Sequence, residues 1–126
     1  MHRSRTCAVI IDVPHAEAPV AAAFWSGVFG TPNRSTPEEP QFRSLPGAIP
    51  GMETAVQSID GEARYHLDIE TDDLDAEVAR LVALGAEKVS RWLDCQVLRA
   101  PGGHLLCVLP VHSDPALFDA EARSWP

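Results

Sequence analysis

Between Tyr65 and Gly85 the spacing of apolar positions changes once, from two residues to about 3.6. Tyr65, Leu67 and Ile69 alternate with His66, Asp68 and Glu70, which puts three apolar side chains on one face of a strand and three polar, metal-capable ones on the other. Such a strand is expected to be half core and half cavity wall. From Leu74 the period lengthens, and Leu74, Val78, Leu81 and Val82 make one stripe of a helix. Asp72 or Asp73 is placed to accept from the unpaired amides at the helix start, and Gly85 to end the helix in the left-handed conformation.

The same order occurs earlier in the chain. Cys7 to Val13 is a nearly continuous apolar run rich in branched residues and reads as a buried strand. A turn at Pro14-His15-Ala16-Glu17 leads into a helix ended by Gly30, with Val20, Phe24 and Val28 on one face and Ala21 and Trp25 beside it. Gly30 and Gly85 lie 55 residues apart, the signature of two similar halves. Five prolines between residues 31 and 50 exclude a helix there and limit strands to short pieces such as Gln41 to Leu45. Strands are expected at Met52 to Ile59, Glu87 to Trp92, Cys95 to Arg99 and His104 to Leu109, and a short tail helix from Asp114 to Arg123. The pattern predicts an α+β chain of two βαβββ modules, about 6–60 and 63–110, with a tail at 111–126 and one shared core.

Composition narrows the function classes. Apolar residues are 45% and charged residues 22% of the 126, an ordinary globular balance. A net charge of −8 disfavours phosphate backbones and anionic membrane surfaces, so neither nucleic acid nor membrane is an expected partner. Cys7, Cys95 and Cys107 follow no zinc or disulfide spacing and are read as free thiols in a reducing compartment. The apolar run after the basic N-terminus is too short for export, so the expected location is cytoplasmic.

His66 is the sharpest candidate for chemistry. With carboxylates at i+2 and i+4 on its face it could ligate a divalent metal, or be a half-buried histidine satisfied by Asp68 or by backbone. Asp72, Asp73 and Asp75 read as helix-start residues. Cys107, in an apolar strand with no neighbouring cation, reads as an inert thiol. Pro101-Gly102-Gly103 lacks the spacing of a phosphate loop. Trp25 and Phe24 read as core, and the scattered polar residues give no Ser–His–Asp order.

The run His66-Leu67-Asp68-Ile69-Glu70-Thr71-Asp72-Asp73-Leu74, the helix into Ala83-Leu84-Gly85-Ala86, and Val97-Leu98 before Pro101-Gly102-Gly103 and Leu105-Leu106-Cys107-Val108 resemble the second half of a glyoxalase-like domain. Phe24-Trp25, Val28-Phe29-Gly30 and Ala55-Val56-Gln57 resemble its first half. The resemblance spans about residues 7–110 and points to the vicinal oxygen chelate superfamily, with bleomycin-resistance proteins and extradiol dioxygenases. It implies curved mixed sheets around a shared cavity and, where a metal is held, one ligand from the first and last strand of each module. His66 falls on the first-strand position of the second module and Gln57 on the last-strand position of the first. Cys107 stands where glutamate is usual, and Ala8 or Ile10 takes the remaining place. Ala100-Pro101-Gly102-Gly103-His104 replaces the usual Asp-Pro-Glu-Gly-Asn.

Three functions follow as expectations. The first is a domain binding a small organic molecule through His66, Gln57, Asp68 and Cys107, its metal site degenerate. Any cofactor is then absent or a weakly held divalent metal on His66 and Gln57. The second is a divalent-metal-dependent lyase, isomerase or dioxygenase, and the third a ligand-free scaffold. A homodimer is the default assembly.

Overall fold

Two strands, β1 (His2–Pro14) and β5 (Arg64–Thr71), each open a run of one helix and three strands. After β1 come α1 (Ala18–Phe29), β2 (Arg34–Ser35), β3 (Phe42–Ser44) and β4 (Glu53–Ile59). After β5 come α2 (Leu74–Ala83), β6 (Glu87–Trp92), β7 (Cys95–Arg99) and β8 (Leu105–Pro110), and the chain ends in α3 (Pro115–Glu121) and β9 (Arg123–Trp125). The pairing repeats as well. The first strand of each run lies parallel to the last, β1 on β4 and β5 on β8, and the last lies antiparallel to the third. A helical crossover is what parallel pairing within a run requires. The computed structural model describes residues 1–126, in two compact units: residues 8–66, and residues 1–7 with 67–126. It is an α+β chain with the predicted duplication.

In the unit of residues 8–66, Ile11, Val13, Ala22, Leu45 and Val56 form the core, with Ala18, Ala21, Trp25 and Phe29 packed against it. The inward stripe of α1 therefore runs 18, 21, 22, 25, 29. The expected face is corrected: Val20, Phe24 and Val28 are 70%, 61% and 54% exposed. Alanines let the helix approach the strands closely, and side-chain size pointed to the wrong stripe. Gly30 ends the helix with φ +67°, as expected. The proline-rich stretch forms only the short antiparallel strands β2 and β3.

In the other unit, Val78, Leu98 and Val108 form the core, joined by Leu74, Leu81, Ala86 and Leu106. Asp73 caps α2 by accepting from Ala76 N at 3.0 Å. Asp72, also read as a helix-start residue, instead accepts from Arg3 through N at 2.7 Å and Nε at 2.9 Å. The first strand begins five residues before the apolar run, because β9 pairs antiparallel with His2–Ser4. The polarity expected of β5 is also reversed: Tyr65 and Leu67 are exposed, whereas Glu70 is fully buried.

Two buried carboxylates hold this unit together. Glu70 Oε1 accepts from the amides of His112 and Ser113, both at 3.0 Å, and Oε2 from Arg5 Nε at 2.8 Å and Ser113 Oγ at 2.6 Å. Burial pushes the Glu70 carboxyl up, but the hydrogen bonds from Ser113, Arg5 and His112 outweigh it and hold the group at about 2. Glu77, on α2, accepts from Arg80 at 2.7 and 2.9 Å and from His2 Nε2 at 2.8 Å. Burial again opposes ionisation, and Arg80, Ser4 and His2 bring Glu77 to about 2. The Arg80 guanidinium lies 3.8 Å over the Trp125 ring, which joins β9 to the same network.

Both folded-state values lie below the ordinary 4.5, so the unfolded chain takes up protons first as pH falls. The stabilisation is complete above about pH 4.5 and is lost progressively towards pH 2. Urea titrations at pH 7, 4 and 2.5 are expected to show a falling midpoint with the main loss between the last two. Equal midpoints at pH 7 and 2.5 would contradict the assignment.

Candidate functional site

Asp12 is the one charged residue in the run from Cys7 to Val13. Its neighbours Ile11 and Val13 both enter the α1-covered core, so strand alternation turns Asp12 to the opposite face. There it is the parallel register partner of Gln57 on β4. Its side chain is 0% exposed. One oxygen, Oδ2, accepts from His66 Nδ1 at 2.6 Å and from Arg64 Nε at 3.1 Å. The other, Oδ1, is buried with no hydrogen-bond partner.

Arg64 and His66 reach Asp12 together because they stand two apart on β5. The residue between them, Tyr65, meets Trp25 of α1 edge-on, with ring centroids 6.4 Å apart. The His66 side chain is 11% exposed and that of Arg64 50%, so the cluster opens on the arginine side. Two physical consequences follow. Donation from Nδ1 to a carboxylate fixes the His66 tautomer and leaves Nε2 as the basic nitrogen. An ionised carboxylate oxygen buried without a donor costs free energy, about 1–3 kcal/mol or more for a charged group. Such a group is the kind of local sacrifice found at binding sites.

The structure thus places His66 and Gln57 beside one strand residue that sequence reasoning passed over. Ala8 and Ile10, the expected first-strand positions, are buried apolar residues. The usable side chain of that strand is Asp12, and the signal available was a lone aspartate inside an otherwise apolar run. Asp68 and Cys107 are register partners on β5 and β8, and Cys7 Sγ donates to Asp68 O at 3.5 Å. His104 is exposed in the turn before β8.

Three groupings bear on a metal. Cys7, Glu70 and His112 bring possible ligand atoms within 4.8 Å of one another, and so do His66, Asp68 and Cys107. Both oxygens of Glu70 are already saturated by two donors each, so a cation there would have to break that set. At the Asp12 cluster the donors are a carboxylate, an imidazole and the neutral Gln57 amide. The Arg64 guanidinium already balances the Asp12 charge at 3.1 Å. Tight divalent-ion sites normally use at least three good protein donors. Asp12, His66 and Gln57 by themselves fall short of that number.

A family model described as a glyoxalase-like domain matches residues 8–109. No curated protein sequence matches the chain. Among solved structures, a variant of Streptomyces coelicolor methylmalonyl-CoA epimerase in complex with 2-nitronate-propionyl-CoA is similar with a TM-score of 0.53 and 14% identity, covering 86% of this chain and 98% of that one. A glyoxalase/bleomycin resistance/dioxygenase superfamily member from Vibrio splendidus 12B01 gives 0.50 and 16%, covering 83% and 98%. A xylose isomerase-like TIM barrel/4-hydroxyphenylpyruvate dioxygenase fusion protein gives 0.60 and 12%, over 94% of this chain and 21% of that one. At these identities the likeness is one of fold.

Proposed function

This chain belongs to the glyoxalase-like domain family, and from that premise we propose that it binds a small organic molecule at Asp12, His66 and Arg64, with Gln57 beside them. The observation that carries the reading is the unpartnered, buried Oδ1 of Asp12. A ligand hydroxyl or amine would satisfy that oxygen, while the exposed side of Arg64 suits a carboxylate or polarised carbonyl of the same molecule. His66, held by Asp12, orients the ligand between them. Residues 1–126 then act as one domain of two modules, about 6–60 and 63–110, in a cytoplasmic homodimer. The exposed Val20, Phe24 and Val28 stripe supports a subunit contact.

A thermal-shift screen of small hydroxy- and amino-carboxylic acids tests this reading. A true ligand at about a hundred times its dissociation constant adds roughly 2.7 kcal/mol of stability. The same compound is expected to leave the His66→Ala melting curve unmoved. Flat curves for the unsubstituted protein across the series would favour a ligand-free scaffold.

One observation favours a second reading, a divalent-metal-dependent lyase, isomerase or dioxygenase. A carboxylate on the Nδ1 of a histidine is the usual support of a metal-ligating imidazole. Metal analysis of protein purified without chelator separates the two. We expect well under one ion per chain, unchanged in His66→Ala. One ion per chain that disappears in the variant would establish the second reading and overturn the first.

A further inference from the structure

The hydroxyl–imidazole–carboxylate order that the scattered sequence positions hide is assembled where β1 and β4 end. These strands run parallel with Val13 opposite Ser58, so the residues two beyond each, His15 and Asp60, emerge at the same end. His15 lies in a single 3-10 turn held by Pro14, and Asp60 precedes Gly61, whose φ of +130° turns the chain away. His15 Nε2 bonds Asp60 Oδ1 at 2.8 Å, and His15 Nδ1 bonds Ser58 Oγ.

For a neutral His15 ring the two bonds together fix the direction of both protons. A carboxylate can only accept, so the ring proton is on Nε2 and points at Asp60. Nδ1 then carries the lone pair, and the hydroxyl of Ser58 must donate to it. A serine hydroxyl donating to an imidazole whose far nitrogen is fixed by a carboxylate is the arrangement that activates an alcohol for nucleophilic attack. This cluster is separate from the Asp12 cluster in both its residues and its strand positions. The His15 side chain is 61% exposed, so an acyl donor can reach it from solvent.

We propose that Ser58, His15 and Asp60 form a second, acyl-accepting site for small activated esters. In this step Ser58 Oγ bonds to the ester carbonyl carbon and the carbon–oxygen bond to the leaving alcohol breaks. The Ser58 proton passes to His15 Nδ1 and from there to the leaving oxygen. Water, deprotonated by the same imidazole, then cleaves the acyl-serine to a carboxylic acid and restores the hydroxyl. The Ser58 amide donates to Gln41 O at 2.9 Å and is therefore not free to stabilise an oxyanion. Slow turnover with an acyl-serine that accumulates is the expected behaviour, rather than fast hydrolysis.

The test uses 4-nitrophenyl acetate as acyl donor and a fluorophosphonate as an irreversible probe, on the full chain. The expected result is a burst of 4-nitrophenol, acetyl and phosphonyl adducts mapped by peptide mass spectrometry to Ser58, and an acylation rate that rises as the imidazole is deprotonated. Ser58→Ala should abolish both adducts, and Asp60→Asn should slow acylation about tenfold or more while leaving the melting temperature unchanged. Adducts elsewhere in the chain, or labelling equal in Ser58→Ala, would overturn the proposal. So would an acylation rate in Asp60→Asn identical to that of the unsubstituted protein.

Discussion

Replacing Glu70 with alanine is expected to cost about 3–5 kcal/mol of folding stability, the usual consequence of removing one partner of a buried ion pair. Small domains hold only about 5–15 kcal/mol in total. The Arg5 side chain is 8% exposed and would be left with its charge facing the space of the lost carboxylate. The amides of His112 and Ser113 and the Ser113 hydroxyl would lose their acceptor as well. Urea denaturation is the check, and Glu70→Gln is expected to lose less, because it keeps one oxygen for the amides. A midpoint within error of the unsubstituted protein would show that the four bonds do not act as a set in solution.

Asp12→Asn is expected to do the opposite. Ligand affinity should fall at least about tenfold, equivalent to about 1.4 kcal/mol, while the melting temperature stays level or rises. The substitution removes a buried charge of which one oxygen has no partner, yet keeps an oxygen for His66 Nδ1. The half-exposed Arg64 returns to solvent at little cost, since a pair open to water is worth about 0–1 kcal/mol. Melting curves with and without the first ligand from the acid series measure both quantities together. A large stability loss with affinity unchanged would make Asp12 a structural residue like Glu70. The two carboxylates thus differ in a way that burial alone does not reveal: Glu70 has donors on both oxygens, and Asp12 on one.

That difference also marks how far the sequence could be read. The two βαβββ runs were legible because strand alternation at Tyr65–Glu70, the helical stripe at Leu74–Leu81 and the stops at Gly30 and Gly85 are local signals; packing reversed which side of β5 is buried but left the elements themselves in place. The inward stripe of α1 was not, because its alanines contribute little to hydropathy yet permit close packing. The burial of His2, Ser4, Glu70 and Glu77 was hidden for a related reason. Each is polar, and each is buried only because partners far along the chain supply hydrogen bonds. His66 was found from its position on a strand, whereas Asp12 was absorbed into an apolar run. Ser58, His15 and Asp60 were invisible because a parallel register joins positions more than 40 residues apart, and no spacing rule encodes that register.

Ligand binding depends first on Asp12 holding the imidazole of His66 with the proton on Nδ1. NMR of the ring nitrogens in histidine-labelled protein measures this directly and needs no ligand. The expected spectrum has a protonated Nδ1 and an unprotonated Nε2 for His66, reverting in Asp12→Ala to the Nε2-protonated form that a neutral imidazole in water prefers. A His66 signal already in the Nε2-protonated form, and unchanged by Asp12→Ala, would contradict the account.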